Sequence, residues 1–172
     1  MTEAELMQLL AAITPPDEAA RAAAHAHWAS LAKPLGGLGA LETMLEDAAA
    51  LTGTAQFDFS HRAVAVLCAD NGVVAQGVSQ TDQSRIAAGT ADFTKGPAMT
   101  RAEAVEAIGR GIALTRQLAA EGYGLVATGE MGIGNTTTSS AVAAVLLAQP
   151  VQTMTGRGAG LSDAGLARKV DA

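Results

Sequence analysis

The sequence predicts an α/β fold built on a parallel sheet and preceded by a helical segment. Three observations carry this. Residues Arg62 to Ala69 form a continuous apolar run of strand length, the pattern of a parallel strand buried on both faces. Leu125-Val126-Ala127-Thr128 is a second short apolar run. It leads through Gly129-Glu130-Met131-Gly132-Ile133-Gly134-Asn135-Thr136-Thr137-Thr138-Ser139-Ser140 into Ala141 to Ala148, which has helix composition. The order is therefore strand, glycine loop, helix. Before the second strand, a helix over about Arg101 to Glu121 carries Val105, Ile108, Ile112, Leu114 and Leu118, so helix and strand make one step of a βαβ alternation.

Composition bounds the rest. The 172 residues suit one domain of ordinary size, and with 49% hydrophobic but only 3% aromatic residues the core must come from Ala, Leu, Val and Ile. A net charge of −6 without a local basic patch argues against nucleic-acid binding. Cys68 is the single cysteine and sits inside the first apolar run, which predicts burial as a small hydrophobe and excludes a disulfide within the chain. The acidic start Met1-Thr2-Glu3-Ala4-Glu5 is unlike a signal peptide, and no apolar run approaches the roughly 20 residues of a membrane span. The expected location is the cytoplasm, with no membrane partner.

In chain order, Leu6, Leu9, Leu10 and Ile13 stand at helical spacing over Thr2 to Ile13, with acidic residues in the first turn. Thr14-Pro15-Pro16-Asp17 breaks that helix and starts the next, over Ala19 to Leu31. His25 and His27 lie there two residues apart, facing different sides, which does not suit a metal pair. Trp28 reads as a packing anchor. Lys33-Pro34-Leu35-Gly36-Gly37-Leu38-Gly39 is a glycine-punctuated turn into a helix from about Ala40 to Leu51, with Lys33 either solvated or near an anion.

The first strand ends in Asp70-Asn71-Gly72, also a good turn sequence. Because ligands in open α/β sheets bind outside the carboxyl ends of strands, Asp70, Ser79 and Thr81 are site candidates by position. Thr100 and Glu103 predict a capping box. Near the end, Pro150 is expected to close the preceding element, Gly156-Arg157-Gly158-Ala159-Gly160 forms a second glycine-rich turn, and Ser162 can cap a helix that includes Leu166, Arg168 and Lys169. Arg157 there is either an anion ligand or part of a surface turn.

In the loop from Gly129 to Ser140, glycines permit a close backbone approach, and hydroxyls with free N–H groups at a helix start can face an anion. A capped strand-to-helix turn explains the same residues, since neither the Gly-Lys-Ser/Thr phosphate loop nor GxGxxG is present. Glu130 would repel a phosphate placed on it, so it reads as facing a sugar hydroxyl or a developing cation.

Taken together, five ordered motifs resemble the nicotinate-nucleotide:dimethylbenzimidazole phosphoribosyltransferase family. They are Lys33 to Gly39, Asp70-Asn71-Gly72-Val73-Val74 with Gly77-Val78-Ser79, Gly96-Pro97-Ala98-Met99-Thr100, Gly129 to Thr137, and Gly156 to Leu161. The resemblance implies a Rossmann-like three-layer α/β enzyme, with residues 1–60 a helical segment and 61–172 a partial nucleotide-binding domain. It implies transfer of the phosphoribosyl group of nicotinate mononucleotide to 5,6-dimethylbenzimidazole or a related base, giving α-ribazole 5′-phosphate and nicotinate, in cobalamin biosynthesis. No cofactor or metal is implied, and a homodimer is usual for the family.

Carried over by position, Glu130 matches a glutamate placed near the ribose. Gly132, Ile133, Gly134, Asn135, Thr136, Gly156, Arg157, Gly158 and Lys169 match positions that hold phosphate and ribose. Asp70, Ser79 and Thr81 match the base pocket. Carboxylates are wanted where nicotinate departure leaves positive charge on the ribose and where the incoming azole loses a proton. Two departures from the family are expected: an internal shortening near Ser84-Arg85, where members carry a further helix, strand and connection, and an end at Ala172 that precedes the family's general-base glutamate. The alternative reading is a noncatalytic nucleotide- or phosphate-binding remnant of the family, and a third is an interaction module whose glycine loops are structural.

Overall fold

The computed structural model describes residues 1–79 and 89–172. They divide into two compact units, Met1–Ala63 with Gly109–Val126 and Val64–Ile108 with Ala127–Ala172. No helix among the described residues is long and apolar enough to cross a membrane.

In the first unit, α1 (Glu3–Ala11) starts from a capping box in which the Glu5 N–H donates to Thr2 Oγ1 at 3.2 Å and the Thr2 N–H to Glu5 Oε2 at 2.7 Å. Helix α2 (Glu18–Ser30) starts at Asp17, whose carboxylate accepts from the Ala19 and Ala20 N–H groups. Helix α3 (Ala40–Thr52) ends at Gly53 with φ 70°, the left-handed cap that glycine adopts without steric cost. Helices α2 and α3 pack on each other through buried Ala20, Ala24, Ala49 and Ala50, so the expected alanine-rich core is present here. Small side chains let the backbones approach closely, and polar pairs flank the seam: Arg21 with Asp47, and His25 Nδ1 with Glu46 Oε1 at 2.9 Å. Trp28 is half-buried, edge-on to His27.

Lys33 is not a solvated lysine. Its Nζ lies 2.8 Å from Glu42 Oε1, and Glu42, on the first turn of α3, is buried and also accepts from the Leu38 N–H at 2.9 Å. The ammonium and that N–H hold the Glu42 carboxyl below its ordinary value of 4.5. Because the folded-state value is the lower one, the stabilisation is complete above the ordinary value and is lost as pH falls through the lowered one. Glu42→Gln is therefore expected to melt below the parent at neutral pH and to converge with it in acid below pH 4.5. Thermal melts across pH 2–7 check this; a gap that stays constant into acid refutes it.

Strands β1 (Arg62–Cys68) and β2 (Leu125–Met131) form a two-stranded sheet among the described residues. It is parallel: the Gly124 N–H donates to His61 O at 3.0 Å and the Ala69 N–H to Met131 O at 3.1 Å, pairing positions that advance together. The α/β class with a parallel sheet thus holds. Helix α4 (Arg101–Ala120) precedes β2, and its first turn carries the expected box, with the Glu103 N–H on Thr100 Oγ1 at 3.2 Å and the Thr100 N–H on Glu103 Oε2 at 2.7 Å.

Three expectations about these strands are corrected. β1 is not buried, since Val64, Val66 and Leu67 are 71%, 53% and 60% exposed. Cys68 is exposed with them. Burial of a parallel strand requires cover on both faces, and apolar sequence alone does not supply the cover. Finally, β2 continues through Gly129-Glu130-Met131, so these residues are strand rather than loop.

In the second unit, α5 spans Asn135–Leu146, beginning six residues before the expected start. It ends before Pro150, which instead caps the short α6 (Val151–Met154). Helix α7 (Asp163–Asp171) starts where expected, with the Gly165 N–H donating to Ser162 Oγ at 3.2 Å. The interior is built by Val73, Val74, Val78, Val105, Ala144 and Leu161, together with two polar residues, Thr137 and Lys169.

Candidate functional site

Strand β2 ends at Met131, and the chain then turns through Gly132-Ile133-Gly134 into α5. Gly132 lies against the end of β1: a Cβ there would stand 2.2 Å from Ala69 O. Gly134 has φ 82°, and a Cβ on it would meet Val74 Cγ2 at 2.5 Å. Both positions admit glycine alone, one by proximity and the other by proximity and backbone conformation. At the start of α5 the Asn135 N–H is used by Gly132 O and the Thr137 N–H by Gly134 O, whereas the N–H groups of Ile133, Gly134 and Thr136 have no acceptor among the described residues. Such donors at a helix N-terminus favour an anion.

Helix α7 brings Lys169 to the same place. The residue is 4% exposed, and its Nζ donates to Thr136 Oγ1 and to Gly156 O, both at 2.8 Å. No carboxylate pairs with it among the described residues, and burial lowers its pKa from the ordinary 10.5. Two of its three N–H bonds have neutral acceptors, leaving one donor and a full charge unmatched. Gly158, with φ 58°, closes in behind; a Cβ there would come 2.9 Å from Thr136 Oγ1 and 3.5 Å from Lys169 Nζ.

A cleft of about 260 Å³ opens beside Thr136, somewhat below the roughly 300–1,000 Å³ typical of drug-sized ligands, while Lys169 reaches Thr136 from a second cleft of about 280 Å³ that it lines with Thr137 and Ser140. The walls of the first cleft include Ser79, Gly132 to Thr136 and Arg157. Arg157 is anchored at its base: one guanidinium N–H donates to Leu161 O at 2.9 Å and another faces Asp163.

The structure thus gathers Ser79, Gly132, Ile133, Gly134, Asn135, Thr136 and Arg157 around the cleft, with Lys169 and Gly158 against Thr136 and Gly156 bonded to Lys169. Glu130 and Asp70, like Gly156, Gly158 and Lys169, stand outside its lining. Glu130 is exposed and its Oε2 accepts from Asn135 Nδ2. Asp70 is half-buried with one carboxylate oxygen buried and unbonded, while its main-chain oxygen accepts from the Thr90 N–H at 3.0 Å. Thr81 lies outside the described residues.

Sequence reasoning passed over Asn71 and Thr138. Asn71 Nδ2 donates to Ile133 O at 3.2 Å, and Thr138 Oγ1 donates to Asn71 Oδ1 at 3.0 Å. The available signal was a polar residue just past a strand's carboxyl end, masked by the turn-forming sense of Asp-Asn-Gly.

A phosphoribosyltransferase family model matches residues 13–85 and 81–172. The chain is 38% identical over 187 residues to a nicotinate-nucleotide–dimethylbenzimidazole phosphoribosyltransferase of Acetivibrio thermocellus, covering 82% of this chain and 53% of that protein. With the protein of the same name from Roseiflexus castenholzii the figures are 39% over 201 residues, 90% and 57%. The crystal structure of CobT from Thermus thermophilus superposes with a TM-score of 0.81 at 33% identity, covering 88% of this chain and 60% of that one. The chain spans a little over half the length of the curated relatives it matches. The two model segments meet at residues 81–85, and the 187-residue alignment uses only 82% of this chain, so that relative carries internal residues without a counterpart here. This agrees with the expected shortening near Ser84-Arg85, a point outside the described residues.

Proposed function

We propose that this chain, which belongs to the phosphoribosyltransferase family, holds the 5′-phosphate and ribose of nicotinate mononucleotide in the cleft between Gly132 and Arg157. The observation that carries the reading is Lys169, a buried ammonium without a counter-ion among the described residues, set near N–H groups at the start of a helix that find no acceptor among them either. Burying an unpaired charge is costly, and a phosphate delivered to Thr136 offsets that cost when ligand is bound. The reaction we assign is transfer of the phosphoribosyl group to 5,6-dimethylbenzimidazole. The bond from the anomeric carbon to the pyridine nitrogen breaks, nicotinate leaves, and the azole nitrogen bonds to that carbon while its proton passes to a base. Glu130, whose Oε1 would stand 2.7 Å from a Cβ at Gly132, is assigned to the positive charge that develops on the ribose. Homodimerisation and a cytoplasmic location belong to the same proposal.

A second reading, binding without turnover, is favoured by the position of Glu130, which is exposed, bonded to Asn135 and outside the cleft lining. One experiment separates them. The purified chain is titrated with nicotinate mononucleotide by calorimetry and, in parallel, incubated with the mononucleotide and dimethylbenzimidazole while nicotinate release is followed. Binding with release supports transfer, and binding alone supports the second reading. Absence of both refutes the two together.

A further inference from the structure

Within the glycine loop Gly132 O and Gly134 O are held by the Asn135 and Thr137 N–H groups, but no bond inside the loop holds Ile133 O. The peptide between Ile133 and Gly134 is held from outside. Its carbonyl oxygen accepts from Asn71 Nδ2 at 3.2 Å, and a trans peptide places C=O and N–H on opposite sides. Anchoring Ile133 O toward Asn71 therefore turns the Gly134 N–H away from Asn71. Ile133 and Gly134 line the cleft and Asn71 does not.

The amide is itself held one way round. A carbonyl can only accept, so the Asn71 atom facing Ile133 O must be nitrogen, and the Thr138 hydroxyl, 3.0 Å from the other atom, must donate to oxygen. Glycine packing adds to the constraint: a Cβ at Gly132 would be 3.0 Å from Asn71 Nδ2, and one at Gly134 would be 3.5 Å from Asn71 Cβ. Asn71 thus sits directly beneath the loop, and Thr138 on the first turn of α5 closes the bracket from β1 to loop to helix.

We propose that Asn71, locked by Thr138, is the positioning residue of the phosphate cradle, holding the Ile133–Gly134 peptide with its N–H toward the bound anion. The proposal deepens the mononucleotide reading and rests on it. Asn71→Asp is nearly isosteric but replaces the donor with a carboxylate oxygen facing Ile133 O, which frees or reverses the peptide. Thr138→Val removes the hydroxyl that tethers the amide oxygen, and Thr138→Ser restores it.

The test is calorimetric titration of each full-length variant with nicotinate mononucleotide and, separately, with inorganic phosphate, beside a thermal melt. Asn71→Asp is expected to weaken both ligands roughly tenfold or more, as for loss of a hydrogen bond to a charged group. Thr138→Val should weaken both in the same direction, Thr138→Ser should restore parental affinity, and the double variant Asn71→Asp/Thr138→Val should bind no more weakly than Asn71→Asp alone. A merely structural bracket would lower the melting temperature and leave the affinity of the folded protein unchanged; that result overturns the proposal. If the parent chain binds neither probe, the mononucleotide reading itself fails and the proposal with it. The parent titration distinguishes that outcome from parental affinity in the variants.

Discussion

Lys169→Met is expected to bind nicotinate mononucleotide about a hundredfold more weakly than the parent chain while melting at the same temperature or higher. The two effects have one cause. Lys169 is 4% exposed, and among the described residues its charge meets only Thr136 Oγ1 and Gly156 O, with no carboxylate to compensate it. Replacing a buried ion pair by apolar residues of similar volume is often neutral or stabilising, whereas removing one member of such a pair costs about 3–5 kcal/mol by leaving the other charge buried and unpaired. The missing member here is the ligand's phosphate. Calorimetry and thermal melts decide the matter: parental affinity in Lys169→Met removes the residue from the site, and a large fall in melting temperature makes it a structural lysine.

The same residue sets a pH signature. Burial lowers the Lys169 pKa from 10.5, so the cost of its charge is present in full below the lowered value and is relieved as pH rises toward 10.5. A bound dianion pulls the value back up. Between the lowered value and 10.5, binding should therefore take up a proton, and the heat of binding should vary with the ionisation enthalpy of the buffer. In Lys169→Met that alkaline proton uptake should vanish.

Gly134→Ala is expected to cost about 2–4 kcal/mol of folding stability, from the left-handed backbone and an overpacked contact together. The position has φ 82°, and the added Cβ would fall 2.5 Å from Val74 Cγ2, a side chain in the interior. Against a typical total of roughly 5–15 kcal/mol this is a large fraction. Gly111→Ala provides the contrast. Gly111 lies within α4 with nothing within 4 Å of its Cβ position, so alanine should stabilise by roughly 0.5–1 kcal/mol. Urea unfolding of both variants checks the pair, and equal effects would mean that the loop is not packed on Val74 as described.

Elements governed by neighbours in sequence were legible from it. The box at Thr100 and the Ser162 cap were read there, and the unread box at Thr2, Asp17 cap and glycine stop at Gly53 likewise depend on residues within a few positions. The start of α5 was not legible, because the run from Asn135 to Ser140 is poor in helix formers. Its helical state leans on the Gly134 turn and on the Thr138 bond to Asn71, 67 residues away. β1 went astray for a related reason: an apolar run specifies a preference for cover and does not say where the cover comes from.

The sequence by itself determined the α/β class, the order of its elements and the glycine positions at which the chain must turn, since backbone sterics and capping act over short distances. It also carried the family resemblance, through five motifs that need no coordinates to read. Only the tertiary structure decided which polar groups work together. It placed Lys169 on Thr136 across 33 residues and Asn71 under Ile133 across 62, and it left Glu130 on the exposed side, bonded to Asn135. The physical reason is that a charge or an amide becomes part of a site through what desolvates it and what faces it, and both are supplied by distant segments of the chain.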